Sequence, residues 1–198
     1  GSFLLSASNS RILSSEPGAW TFVTMSDEYM LGGTYTGLVL YRKEKGQWVF
    51  DRKLDGLKES CRIMVKDEDQ SIWISHPYRG VYNVRWNAGN KDKIDIRFFN
   101  QENGLPTNLN NYVFQIAGKA VFATEKGVFH FDRSKDTFVP DDDFNRLLDK
   151  QHRVRYLRED TKGNVWYVTD HEAGMLIVND FGLKKEVRKK VIPELAGK

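Results

Sequence analysis

The sequence predicts an all-β fold made of β-propeller blades, each of four antiparallel strands, and three observations carry that prediction. A strand–turn–strand unit recurs as EYMLGGTYTGLVLY, SIWISHPYRGVYNV, KAVFATEKGVFHFD and GNVWYVTDHEAGMLIVND. The glycine that opens the second strand of each copy falls at Gly37, Gly80, Gly127 and Gly174, with spacings of 43, 47 and 47 residues, inside the period expected of four-stranded blades. Apolar residues alternate along these runs, as in Tyr82 and Val84 or Phe129 and Phe131, and the stretches between turns are too short for crossover helices.

Taken in order, FLLSASNSRIL at 3–13 reads as the middle hairpin of a partial blade over 1–19. Four fuller blades follow over 20–61, 62–111, 112–153 and 154–198. Each begins with a short apolar run, WTFVTM at 20–25, RIMVKD at 62–67, YVFQIA at 112–117 and RYLRED at 155–160. The recurrent hairpin supplies the next two strands. A last strand is marked eleven residues after the glycine by Trp48 in the first copy and Phe138 in the third, each followed by valine. DDDFNRLLDKQ at 141–151 is the one helical candidate, its acidic start preceding apolar Phe144, Leu147 and Leu148. Because an open stack of sheets leaves faces and edges unprotected, the chain is expected to be a segment of a larger propeller of about seven blades.

The bulk properties bound the function. With 40% hydrophobic and 29% charged residues the chain has the composition of an ordinary globular protein, and 30 basic against 27 acidic residues give no electrostatic case for nucleic acid as a partner. No apolar stretch approaches the length of a membrane span, and no basic-then-apolar leader is present at the start. Cys61 is the only cysteine, so no internal disulfide forms, and its position reads as a small buried strand residue.

Antiparallel order places the turns inside the repeated hairpins and the links between blades at the same end, which is the default binding face. The turns bring Tyr35, then His76, Tyr78 and Arg79, then Lys126, and lastly His171 with Glu172; the links bring Asn108 and Asn110. Aromatic rings that lie against sugar faces, beside amide and charged donors, suit a polyhydroxylated or acidic ligand. Solvated loops are the commoner role of such residues.

Other conspicuous residues read as structure. Tyr29, Trp73, Phe122 and Trp166 occupy matching places in the second strands, where they are expected to fill the space between adjacent sheets. Asp160 and Gly163 read as a turn, because the further acidic ligands of a calcium loop are missing. Asp141, Asp142 and Asp143 read as a solvent-facing loop sooner than a cation site. His76, His130, His152 and His171 lie in different blades without zinc-like spacing, and His130 is expected on the face opposite its two phenylalanine neighbours. KKEVRKK at 184–190 fits an edge strand guarded by lysines. No metal, no cofactor and no catalytic residue is expected: no Ser-His-Asp arrangement can be argued, and the carboxylates single out no acid/base pair.

DTKGNVWYVTD followed by GMLIV, with Asp160, Gly163, Asn164, Trp166 and Gly174, resembles the two-component regulator-propeller repeat of bacterial membrane sensors. DEDQSIWISHPYRGVYNV is similar, with Gln70 for the usual glycine and Ser71 for the asparagine. ENGLPTN at 102–108 resembles the family's link between blades. The resemblance implies the periplasmic sensor region of a hybrid two-component or triple-tyrosine-motif receptor, whose kinase or DNA-binding output acts in transcription regulation. It implies binding of a small molecule or oligosaccharide, often a glycan breakdown product, without catalysis, with a homodimer and a membrane attachment arising only through the parent protein. A propeller enzyme of the lyase or sialidase kind and an intracellular protein-binding scaffold remain the alternatives.

Overall fold

The computed structural model describes residues 1–5, 10–148, 153–181 and 184–193. It has one two-stranded sheet and four four-stranded sheets, whose strands sit side by side in chain order among the described residues. β1 (Ser2–Leu5) pairs antiparallel with β2 (Ser10–Ser14). β3 (Thr21–Thr24), β4 (Tyr29–Thr34), β5 (Gly37–Glu44) and β6 (Gln47–Leu54) form the first full sheet. β7 (Ile63–Lys66), β8 (Ile72–His76), β9 (Gly80–Asn87) and β10 (Asn90–Phe99) form the second. The third holds β11 (Tyr112–Ile116), β12 (Lys119–Thr124), β13 (Gly127–Asp132) and β14 (Thr137–Pro140), and α1 (Asp142–Leu148) follows it. β15 (Val154–Glu159), β16 (Val165–Thr169), β17 (Ala173–Phe181) and β18 (Lys184–Val191) complete the set. These are propeller blades, as the repeat predicts.

The chain divides into two compact units, Gly1–His76 with Val81–Phe98, and Pro77–Gly80 with Phe99–Lys198. In the first, Leu31, Leu38, Leu40 and Leu54 of the β3–β6 sheet meet Met64, Ile72, Ile74 and Val84 of the β7–β10 sheet. Each leucine or isoleucine buried there contributes about 1.5–3 kcal/mol. On its other side the β3–β6 sheet meets the first hairpin, where the Ser2 and Tyr41 hydroxyls share a buried hydrogen bond of 2.7 Å. In the second unit, Ile116, Val121, Ala123 and Val128 pack on Val154, Leu157, Val165 and Tyr167. The opposite face of the β11–β14 sheet carries a phenylalanine cluster in which Phe138 meets Phe122 at 4.8 Å, Phe131 at 5.1 Å and Phe99 at 5.7 Å.

Gly37 and Gly80 open their strands at φ +120° and +119°, and a Cβ there would come within 2.1 Å of the Leu57 carbonyl oxygen and 2.2 Å of that of Phe99. The repeated glycine therefore answers to a close backbone approach as well as to a left-handed turn. Gly174 departs from this register. β17 begins at Ala173, and Gly174 pairs with Tyr167, whose hydroxyl would lie 2.6 Å from an added Cβ. The residue matching Gly37 in the last blade is Glu172, whose carbonyl accepts the threonine bond described below.

The aromatic positions also differ in part from expectation. Trp73 and Phe122 are fully buried, but they lie on different faces: Trp73 sits between Ile72 and Ile74, which meet the preceding sheet, whereas Phe122 sits between Val121 and Ala123, which meet the following one. A one-residue offset in the strand turns the ring over. Trp166 shares the orientation of Trp73, yet is 39% exposed. It lies on the face of the β15–β18 sheet turned away from the β11–β14 sheet, and no sheet among the described residues of its unit covers it.

α1 realises the helical stretch over seven residues. Asp141 is part of its start and not of a loop, since its Oδ1 accepts the Phe144 N–H at 3.1 Å and its other oxygen stands 3.4 Å from His130 Nδ1. Cys61 is fully buried, and burial, reinforced by Glu59, pushes its thiol up to about 12. Asp160 is consumed by its turn, accepting from the backbone of Lys162 and Asn164 and from the Asn164 and Trp166 side chains. β18 runs along β17 as the outer strand, but the side chains of residues 184–189 and the whole of His152 lie outside the described residues.

Candidate functional site

The hairpin turns are held by one recurring device. Thr34 Oγ1 donates to Gly37 O at 2.9 Å and accepts the Thr36 N–H; Thr124 Oγ1 donates to Gly127 O at 2.8 Å and accepts the Lys126 N–H; Thr169 Oγ1 donates to Glu172 O at 3.2 Å and accepts the His171 and Glu172 N–H groups. Each threonine ties the turn to itself, and the side chains after it face solvent. His76 stands in the threonine's place in the second full sheet, nearly buried, its Nε2 3.5 Å from Glu59 Oε2. The signal was present in the sequence as a threonine three or four residues before the strand opening.

Main-chain bonds bring links and turns to one end of the sheets within each unit. In the first, the Tyr35 N–H donates to Pro17 O at 3.3 Å and the Cys61 N–H to Thr34 O at 2.8 Å. In the second, the Asn110 N–H donates to Pro77 O at 3.1 Å and the Asp170 N–H to Arg153 O at 3.2 Å.

At this end of the first unit Tyr35 stands 42% exposed. Its ring meets Trp20 edge-on at 5.5 Å, and the Arg62 guanidinium lies 4.9 Å from the Trp20 ring and 5.2 Å from that of Tyr35. Sequence reasoning found Tyr35 but missed Trp20 and Arg62, which each stand one residue before the first strand of a sheet.

In the second unit Tyr78, Arg79, Lys126 and His171 are exposed on their turns, Tyr78 to 74%. Asn110, at φ 56°, donates from Nδ2 to Glu125 Oε1 at 2.8 Å, beside Lys126 in the same turn. Asn108 instead faces its own link, its Oδ1 accepting the Gln101 N–H at 3.0 Å. Glu172 accepts from Tyr167 Oη at 3.1 Å, and burial, followed by the charge of Glu172, raises the Tyr167 phenol well above its ordinary value. Arg155 pairs with Asp170 at 2.5 Å. Asn108, Asn110 and Glu172 thus shape the loops, whereas Tyr78, Arg79, Lys126 and His171 present their side chains outward.

At the other end of the β7–β10 sheet, a cleft of about 490 Å³ is lined by Asp69, Arg85, Trp86, Asn90, Lys93 and Asp95, among others. No sequence motif marked it, because its walls come from two turns that alternation alone does not bring together.

The architecture defines a set of propeller blades, and in each unit the turn-and-link end carries polar and aromatic side chains. No family model matches the chain, and none of the curated proteins matches it. Among solved structures it is similar to the extracellular domain assigned to the one-component system BT4673 of B. thetaiotaomicron, with 17% identity and a TM-score of 0.61 over 96% of this chain and 25% of that one. It is similar also to the extracellular domain assigned to the hybrid two-component system BT3049 of the same organism, with 18% identity and a TM-score of 0.61 over 95% and 25% of the two chains. The chain spans about a quarter of the length of these matches. The likeness is one of fold, and it agrees with the regulator-propeller resemblance of the blade motifs.

Proposed function

We propose that the chain is part of the extracytoplasmic ligand-sensing region of a bacterial signalling receptor, and that its ligand is a fragment of a broken-down glycan. The observation that carries the reading is the coincidence of a fold found in extracellular domains assigned to one- and two-component systems with turn-and-link ends that expose aromatic and basic side chains to solvent. No helix among the described residues is long and apolar enough to cross a membrane, so in this reading attachment, dimerisation and the kinase or DNA-binding output belong to other parts of the parent receptor. The chain acts without catalysis. A ligand that binds one receptor arrangement better than the other shifts their equilibrium by its differential affinity, and so changes the distant output.

The test is a transcriptional reporter driven by the intact receptor, challenged with fragments of different glycans. One fragment class is expected to switch the reporter on, and Tyr78→Ala with Arg79→Ala is expected to shift the half-maximal concentration upward. A reporter that ignores every fragment, or responds to one equally in wild type and in variants across the whole rim, overturns the reading.

A further inference from the structure

The Trp20, Tyr35 and Arg62 group holds a positive charge that no ion pair among the described residues neutralises. Its three members come from separate places in the chain and are each fixed by the backbone. Pro17 O accepts the Tyr35 N–H and Gly33 O accepts the Trp20 N–H, while Arg62 O accepts the Thr21 hydroxyl at 2.6 Å. Gly18, at φ +68°, lets the Tyr35 ring lie directly against the link: a Cβ at that position would fall 2.1 Å from a ring carbon.

The Arg62 guanidinium is held by the two rings alone. It makes no hydrogen bond or ion pair among the described residues, and its only other contact of note is through its backbone oxygen. Contact with ring faces engages the charge without using any of the five N–H donors. Lys53, on β6 beside this turn, is already satisfied, since its Nζ is 3.0 Å from Glu16 Oε2 and 2.8 Å from Thr36 Oγ1. On the neighbouring strand His76 faces Glu59. Arg62 is therefore the uncompensated group, preorganised beside a Trp20 ring that is 51% exposed.

We infer that this group is an anion-recognition point that takes a sugar ring bearing an oxyanion, with the carboxylate or sulfate on Arg62 and the apolar face of the ring against Trp20. A guanidinium is suited to this because its flat face stacks on a ring while its planar fork still matches an oxyanion with two parallel donors, a fork that an ammonium lacks. The inference rests on the sensing reading for its biological sense, but its chemistry is tested separately.

The experiment is a calorimetric titration of the chain at low salt with three probes, digalacturonate, neutral galactobiose and a sulfated galactose, against wild type, Arg62→Gln, Arg62→Lys and Trp20→Ala. At least one charged probe is expected to bind about tenfold or more tighter than galactobiose. That preference is expected to vanish in Arg62→Gln, to fall in Arg62→Lys and to weaken with added salt, whereas Trp20→Ala weakens every probe that binds. Comparing digalacturonate with the sulfated sugar tells carboxylate from sulfate. Equal binding of charged and neutral probes, charged binding that survives Arg62→Gln, or no charged binding at millimolar concentration each overturns the inference. The sensing reading stands or falls on the reporter assay and not on these titrations. Thermal melts of the Arg62 variants, expected to lie close to wild type because the Arg62 side chain is exposed and makes no hydrogen bond or ion pair among the described residues, separate lost recognition from lost folding.

Discussion

Asp67 and Asp160 each hold an indole six residues further on, with Trp73 Nε1 donating to Asp67 Oδ2 at 2.9 Å and Trp166 Nε1 to Asp160 Oδ2 at 3.3 Å. Between them lies a left-handed residue, Gly163 at φ 79° in one copy and Gln70 at φ 66° in the other. A side chain in that conformation costs about 1–2 kcal/mol, partly offset by the lower entropy of the unfolded chain relative to glycine. Gln70→Gly is therefore expected to stabilise the protein by about 0.5–1 kcal/mol, read from urea unfolding; a loss of stability would show that the Gln70 side chain does more than occupy a turn. Asp160 makes a second residue-scale prediction. The Asn164 side chain foremost, with the N–H groups of Lys162 and Asn164 and the Trp166 indole, lowers its carboxyl pKa below the ordinary value. Its stabilising effect is thus complete above the unfolded carboxylate range, about pH 4, and is lost as pH falls through the lower folded value. Asp160→Ala should be less stable than wild type at neutral pH, with the gap between their melting temperatures closing in acid. A gap that stays constant would place the residue's contribution outside its charge.

The third full sheet is finished by a helix. β14 has four residues where β6 has eight, so the ladder beside β13 ends early, and α1 supplies what is missing. Asn145, buried at 6% exposure, accepts the Val128 N–H with Oδ1 and donates to Val128 O with Nδ2, both at 2.8 Å. One amide side chain stands in for a backbone partner, while Leu148 of the same helix joins the core of the second unit. Removing the amide leaves the buried Val128 N–H unpaired, while the Val128 carbonyl still accepts the Asp141 N–H at 2.9 Å, so Asn145→Ala is expected to cost about 1–3 kcal/mol, measured by chemical denaturation. A cost near zero would mean that water satisfies Val128 instead. The helix itself was legible, because acidic residues preceding spaced apolar ones mark a start. The role of Asn145 was not, since a polar residue on a short helix reads as exposed until the length of the neighbouring strand is known.

At the scale of the molecule, the blade plan was readable because it is written in local demands. Alternation with a period of two places strands, a positive-φ glycine marks where the third strand begins, and the short intervals between turns exclude helical crossovers. Those demands act through the backbone over a few residues, so Gly37, Gly80 and Gly127 could be placed without any tertiary information. Gly174 shows the boundary of that method: it stands near the same turn but answers to the Tyr167 ring across the strand pair. Likewise Phe122 and Trp73 looked equivalent along the chain yet face opposite ways, because a single step of register exchanges the two faces of a strand.

By itself, then, the sequence determined the number, order and antiparallel sense of the strands, and the turns that carry the exposed rim. Only the tertiary structure decided which ring faces which sheet, which rim side chains are engaged by their own loops, and that Arg62 comes to rest on Trp20 and Tyr35 with its donors unused among the described residues. The physical reason is one of range. Strands and turns arise from neighbours in the chain, whereas a guanidinium 42 residues from its indole finds it only when two links are carried to the same end by the stacking of their sheets.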